Sequence, residues 1–306
     1  MPSFTSSRVS LRESAHLRAT LQALFVTFLW STSWVLIKIG LKDIPALTFA
    51  GLRYTLAWVC LLPLAVRSGQ LTALAQLTRR DWLRLVALGL LFYAVNQGAQ
   101  FLALERLPAV TTSLLLSFTP TFVALLGIVL LAETLTRAQW GGIALYLSGA
   151  LLYFYPVSIP AGQMVGLIIA LVGVAANALS AILGRDVNRA AILPALAVTT
   201  VTMGIGAPVM LASGIIVQGL PALSLQSAAI IAWLAVVNTA FAFTLWNHTQ
   251  RTLPAIESSI INNTMLIQIA ILAWIFLGEA LDLREIAGLA LAGTGTLIVQ
   301  TRRAKS

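Results

Sequence analysis

The chain has 306 residues, 59% of them hydrophobic and 9% charged, with a mean hydropathy of +0.92. A soluble domain is roughly half apolar and about a quarter charged. A soluble enzyme, a disordered protein, a disulfide scaffold or a coiled coil therefore fits poorly, and Cys60, the single cysteine, lies in an apolar run. The formal charge of +9 would point to nucleic acid in a soluble protein but to basic cytoplasmic loops in a membrane protein.

A bilayer-crossing helix needs about 20 mostly apolar residues. Ten such runs follow one another, at 18–38, 45–66, 83–104, 108–131, 137–156, 162–184, 193–215, 226–248, 254–277 and 284–301. The connections are short, so neighbours run antiparallel. The runs are too long for strands and lack period-two alternation. Residues 1–17 are polar, carry Arg8 and Arg12 and precede no clear cleavage site, so they read as a tail rather than a signal peptide. Residues 302–306 form the other tail.

Lysine and arginine set the orientation. With the N-terminus in the cytoplasm, fourteen fall on that side: Arg8, Arg12, Arg18, Arg67, Arg79, Arg80, Arg84, Arg137, Arg185, Arg189, Arg251, Arg302, Arg303 and Lys305. Lys38, Lys42, Arg106 and Arg284 fall opposite, and Arg53 lies within the second span. Both termini are predicted to be cytoplasmic.

Polar residues inside a span usually face the bundle interior or a wet path. In the first span Thr27, Ser31, Trp34 and Lys38 share a face, with Trp30 beside it. Arg53 alone reads as a structural pair or carbonyl ligand. In the third span Tyr93, Asn96, Gln97 and Gln100 recur at three and four, forming one polar stripe. The fourth span offers Ser113, Ser117 and Pro120, the sixth Asn177 and Ser180, the eighth Asn238 and Trp246, and the ninth Ser258, Asn262, Asn263 and Met265. Interhelical hydrogen bonding could explain such stripes without a ligand. Trp82, Trp140 and Trp233 sit near span ends, where aromatic belts are expected. Pro120 interrupts the fourth span, and Gly204, Gly206 and Pro208 interrupt the seventh, so these positions are candidate hinges or static bends.

Shifted by 146 positions, the chain matches itself. Leu107-Pro108-Ala109-Val110 meets Leu253-Pro254-Ala255-Ile256, and Ser113, Glu133, Gly142 and Gly149 meet Ser259, Glu279, Gly288 and Gly295. Thr136 with Gln139, and Asp282 with Glu285, have the spacing of a capping box opening the last helix of each half. Pro108 and Pro254 suit helix starts. Each half holds five spans. Because five is odd, the second half is inverted, which is the architecture of many secondary transporters.

These residues also resemble a family. Trp30-Ser31-Thr32-Ser33-Trp34 with Lys38, and Arg53 early in the second span, are similar to motifs of EamA-type proteins in the drug/metabolite transporter superfamily. The Pro120 region with Leu131-Ala132-Glu133, and Leu277-Gly278-Glu279, resemble its two fourth-helix endings. The resemblance covers nearly the whole chain, with repeats at 18–156 and 162–301, and is greatest to YddG-type exporters of aromatic and other amino acids. Departures are Leu266, which stands where Pro120 has its partner, and a sixth span without the Trp-rich motif. The two halves are therefore not expected to contribute equally.

The resemblance implies a ten-helix carrier in a bacterial inner membrane that exports metabolites through one central cavity. The residues allow binding without bond-making: amides and hydroxyls for an ammonium and a carboxylate, rings for an aromatic side chain. No cofactor, metal or nucleic-acid partner is expected; the lipid bilayer and a small molecule such as an amino acid are, and a monomer is compatible. Gly293-Thr294-Gly295 and Gly204-Ile205-Gly206 lack the setting of a phosphate loop. Proton relays need carboxylates or histidines in the spans. Only Glu257 comes close, at a helix start, so weak or absent proton coupling is expected. The alternatives are a broader drug or nucleotide-sugar carrier, an intramembrane enzyme, for which no nucleophile–base pair is present, and a membrane scaffold.

Overall fold

A computed structural model describes residues 4–131, 134–156, 160–189, 193–250 and 252–301. All of the long elements among them are helices. The backbone pairs within each segment, which is what hydrocarbon demands of a spanning chain. The first half comprises α1 (Phe4–Gly40), α2 (Ala46–Arg67), α3 (Arg79–Gly89), a π-helical stretch (Leu90–Asn96), α4 (Gln97–Arg106), α5 (Ala109–Leu116), α6 (Thr119–Leu131) and α7 (Arg137–Phe154). The second comprises α8 (Ala161–Arg189), α9 (Ala195–Gln218), α10 (Leu225–Ala235), a second π stretch (Val236–Phe241), α11 (Ala242–Thr249), α12 (Ala255–Leu277) and α13 (Leu283–Thr301). Eight helical segments among the described residues are long and apolar enough to cross a membrane. The remaining two of the expected ten, α7 and α13, are 18 and 19 residues long.

The two π stretches start at Leu90 and Val236, which are equivalent under the 146-residue shift. The third and eighth spans thus carry the same backbone irregularity. Periodicity cannot reveal it, because one wide turn barely disturbs the apolar pattern. Packing obeys the same symmetry. Helix α2 lies along α9 and α7 along α13, while α1 packs on α12 as α8 packs on α5 and α6. Exchanging the halves leaves this pattern unchanged, as a pseudo-two-fold axis between inverted repeats requires.

The contact between α7 and α13 shows why the shared glycines recur. A Cβ on Gly149 would lie 2.6 Å from Gly288 O, and one on Gly295 would lie 2.5 Å from Gly142 O. Gly142 and Gly288 are repeat mates, as are Gly149 and Gly295, and across the axis each glycine meets the mate of the other pair. Without a hydrophobic drive between helices in lipid, such backbone approach is what holds them together. The last helix of each half opens on the expected capping box. Thr136 N–H donates to Gln139 Oε1 at 3.0 Å, and Gln139 N–H donates to Thr136 Oγ1 at 3.3 Å. Asp282 N–H and Glu285 Oε2 (2.8 Å) pair reciprocally with Glu285 N–H and Asp282 Oδ1 (2.7 Å).

The fourth span is broken, with α5 ending at Leu116, α6 starting at Thr119 and Pro120 in the first turn of α6. The seventh span differs from expectation. Helix α9 runs unbroken past Gly204, Gly206 and Pro208. Its neighbours hold it on both sides: Gly206 is pressed against Gly89 O of α3, Gly204 lies under the Trp58 indole, and Leu211 abuts Gly51 of α2. These glycines are contact points for neighbouring helices.

Candidate functional site

The first, second, third, fourth, sixth, eighth, ninth and tenth spans enclose a cavity of about 410 Å³. Its wall takes Trp30 and Trp34 from α1, Arg53 and Tyr54 from α2, and Asn96, Gln97 and Gln100 around the start of α4. Ser113, Ser117 and Pro120 come from the broken fourth span, Asn177 from α8, Phe243 from α11, Asn262 and Asn263 from α12, and Thr296 and Gln300 from α13. Arg53, Tyr54, Asn96, Gln97 and Ser113 are buried, whereas Asn262 is exposed and Gln300 half-buried. Solvent accessibility along the wall therefore rises toward the start of α12 and the end of α13, the membrane side on which the chain ends.

Local structure aims these groups. Tyr54 donates its hydroxyl to Gln97 Oε1 at 2.7 Å, fixing the amide so that its NH₂ is left for the cavity. The Trp30 indole donates to Asn238 O at 3.1 Å, a carbonyl of the π stretch in the eighth span. Trp30 also stacks at 5.3 Å on Phe243 and 5.2 Å on Trp246, so the ring is held by both a polar and an aromatic contact. Thr239 in the same π stretch donates to Leu234 O and accepts from Arg53 Nε at 3.2 Å. Asn177 of α8 donates to Thr119 Oγ1 at 3.3 Å, at the first residue after the break in the fourth span, and Asn263 donates to Gln300 Oε1 at 2.8 Å.

Of the residues singled out by sequence, the structure gathers Trp30, Trp34, Asn96, Gln97, Gln100, Pro120, Asn177, Asn262 and Asn263 on one wall. Ser31, Lys38, Tyr93, Asn238 and Trp246 stand outside that wall. Ser31 Oγ sits between Thr27 O and Gln268 Oε1, in a polar seam joining α1 to α12. Lys38 Nζ donates to Leu104 O and Leu107 O, both at 2.6 Å, closing the end of α4. Tyr93 is buried edge-on against Tyr54 and Phe92. The Asn238 amide donates to Leu29 O and Thr32 Oγ1, and Trp246 stands behind Trp30. Helical spacing put each of these five on a polar face, but a polar face between two helices can be met by the neighbour instead of by a ligand.

Sequence reasoning missed several wall residues, Phe243 among them. Arg53 read as structural, and Tyr54, Thr296 and Gln300 were not singled out. Thr296 and Gln300 lie four apart, on one face of the tenth span, so the same periodicity that found the third-span stripe could have found them. The opposite end of the bundle is closed by a polar tie between the halves. The left-handed turn at Gly278 (φ 69°) delivers Glu279 under the start of α5, where its carboxylate accepts from Ala109 N–H at 2.7 Å and Val110 N–H at 3.1 Å. A carboxylate there satisfies orphan donors and the helix dipole together. Its repeat mate Glu133 lies outside the described residues. Among the described residues there is no cluster of three metal-ligating side chains.

The model of one family matches the chain twice, at residues 17–155 and 164–301, and that family is described as the EamA-like transporter family. Among curated proteins, an "Uncharacterized inner membrane transporter YedA" of Escherichia coli (strain K12) is 28% identical over 246 residues, covering 78% of this chain and 76% of the relative. An "Uncharacterized transporter" of Archaeoglobus fulgidus is 34% identical over 101 residues, about a third of each chain. A solved crystal structure superposes with a TM-score of 0.65 over 93% of this chain and 98% of the other, at 18% identity, a likeness of fold. A twofold match to one model, an inverted pair of five-span halves and a polar cavity at their junction together place this chain in the EamA-like transporter family.

Proposed function

We propose that the protein exports amino acids, aromatic or other apolar ones, across a bacterial inner membrane by alternating access, as its resemblance to YddG-type exporters implies. The observation that carries the reading is the cavity wall itself, where two indoles, Phe243 and Tyr54 share one space with the amides of Asn96, Gln97, Gln100, Asn177, Asn262 and Asn263. Rings offer area to an apolar side chain, and amides offer donors and acceptors to an ammonium and a carboxylate. The excess of basic residues on one side, fourteen against four, supports cytoplasmic termini. With that orientation the more accessible end of the cavity faces the cytoplasm, where an exporter loads. The inner-membrane placement draws on the description of the Escherichia coli relative. The hinge roles of Pro120, Gly204, Gly206 and Pro208 stay within the proposal, with the break at Ser117–Phe118 the better supported site of bending. No carboxylate or histidine is among the wall residues described, which supports transport driven by the substrate gradient alone.

The test is flux of radiolabelled amino acids in liposomes holding the purified chain, with and without a pH gradient, repeated for Gln97→Ala. Flux independent of the gradient and slowed by the substitution is expected. If no amino acid moves, export of amino acids is refuted, and flux that stalls without a pH gradient refutes uncoupled transport.

A further inference from the structure

Arg53 is 4% exposed, in the middle of a membrane bundle. A guanidinium keeps its charge at any physiological pH, and an isolated charge in hydrocarbon is costly unless it is paired or lines a wet path. Among the described residues no carboxylate forms an ion pair with it. Its Nε donates to Thr239 Oγ1, and its Cζ lies 4.9 Å from the centre of the Tyr54 ring, a contact that offsets part of the cost. The two Nη groups, which carry four of its five donors, have no hydrogen-bond acceptor among the described residues, while the side chain forms part of the cavity wall. A second group on the same wall is equally unmet. Ser113 is 5% exposed, and its Oγ has no partner among the described residues. A third, the amide NH₂ of Gln97, is held by the Tyr54 bond to the other end of that amide.

We infer that Arg53 is the anchor for a carboxylate of the transported molecule, with Ser113 Oγ and the Gln97 amide as further donors, so the cavity selects solutes that carry an anionic group. A planar fork of donors matches a carboxylate in a bidentate pair, and desolvation in the bundle strengthens that pair. The inference rests on the transport reading above and narrows it. Zwitterions and organic anions are taken, and amines or cationic drugs of the same shape are refused. If Arg53 served only to hold Thr239 and the π turn, it would be indifferent to the charge of the solute.

The experiment measures quenching of the cavity tryptophans, Trp30 and Trp34, in the purified full chain by three probes of one shape: L-phenylalanine, 3-phenylpropionate and phenethylamine. The same probes compete against labelled L-phenylalanine flux in liposomes. Phenylalanine and 3-phenylpropionate are expected to bind at least about tenfold tighter than phenethylamine, the scale of one lost charge-assisted bond. Arg53→Gln should abolish that preference while Arg53→Lys keeps part of it. Phenethylamine binding as well as the two carboxylates, or no binding by either carboxylate, overturns the anchor. So does a preference that survives in Arg53→Gln. If Arg53→Gln fails to fold, the three-probe comparison on the unaltered chain still decides. Phenylalanine that binds with the carboxylate preference but is never transported refutes amino-acid export and leaves the anchor standing.

Discussion

Gly141 and Gly149 lie on one helix, but alanine should act on them with opposite sign. In a helix interior alanine is better than glycine by about 0.8–1 kcal/mol. At Gly141 an added Cβ meets nothing within 4 Å, so Gly141→Ala should be neutral or stabilising by up to that amount. At Gly149 the same atom would lie 2.5 Å from Ala292 N and 2.6 Å from Gly288 O, both backbone atoms of α13 that no rotamer change can move aside. Restoring ordinary 3.4 Å contact forces the two helices apart by about 0.8–0.9 Å, which loosens the whole glycine-lined seam. Overpacking of this kind costs about 1–3 kcal/mol. After the helix gain, Gly149→Ala should lose up to about 2 kcal/mol relative to the unaltered chain, and about 1–3 kcal/mol against Gly141→Ala. Thermal unfolding of the purified chain in detergent, followed by tryptophan fluorescence, measures this difference as a separation of transition midpoints. Equal midpoints for the two variants would refute the backbone-to-backbone seam. The repeat adds a second check, because Gly295→Ala, at the position matching Gly149, should behave as Gly149→Ala does.

Glu279→Ala should cost about 1–2 kcal/mol by leaving the N–H groups of Ala109 and Val110 without an acceptor, and Glu279→Gln should cost less; thermal midpoints of the two variants check this. Lys38→Met leaves Leu104 O and Leu107 O unmet at the end of α4 and should lose about 1–3 kcal/mol in the same assay, without changing which solutes compete for transport. Trp30→Phe keeps a ring against Phe243 but loses the bond to Asn238 O. Its stability should fall by about 0.5–1.5 kcal/mol, read by chemical denaturation.

The sequence determined the number, order and mutual inversion of the spans. Bilayer thickness fixes the length of an apolar run, and a repeat at 146 positions survives in residues whose jobs are local, such as the paired capping boxes and the prolines before α5 and α12. It also determined the third-span stripe, because helical periodicity decides which residues share a face. What lies opposite a face is settled between helices, and there the tertiary structure decided. Lys38 meets the carbonyls ending α4, the Asn238 amide meets α1, and Ser31 meets Gln268 of α12. In the seventh span, glycines beside a proline read as a break, but they serve the close approach of α2, α3 and α9. The π stretches keep the apolar pattern nearly intact while re-aiming Trp30 and Arg53 through Asn238 O and Thr239. Arg53 shows the division most plainly. Its sequence neighbours made a structural partner the simplest expectation. Only the packed bundle shows its side-chain bond among the described residues going to a hydroxyl and the rest of its charge facing the cavity, because a charge can be called paired only once every helix that could bring a counter-ion is in place.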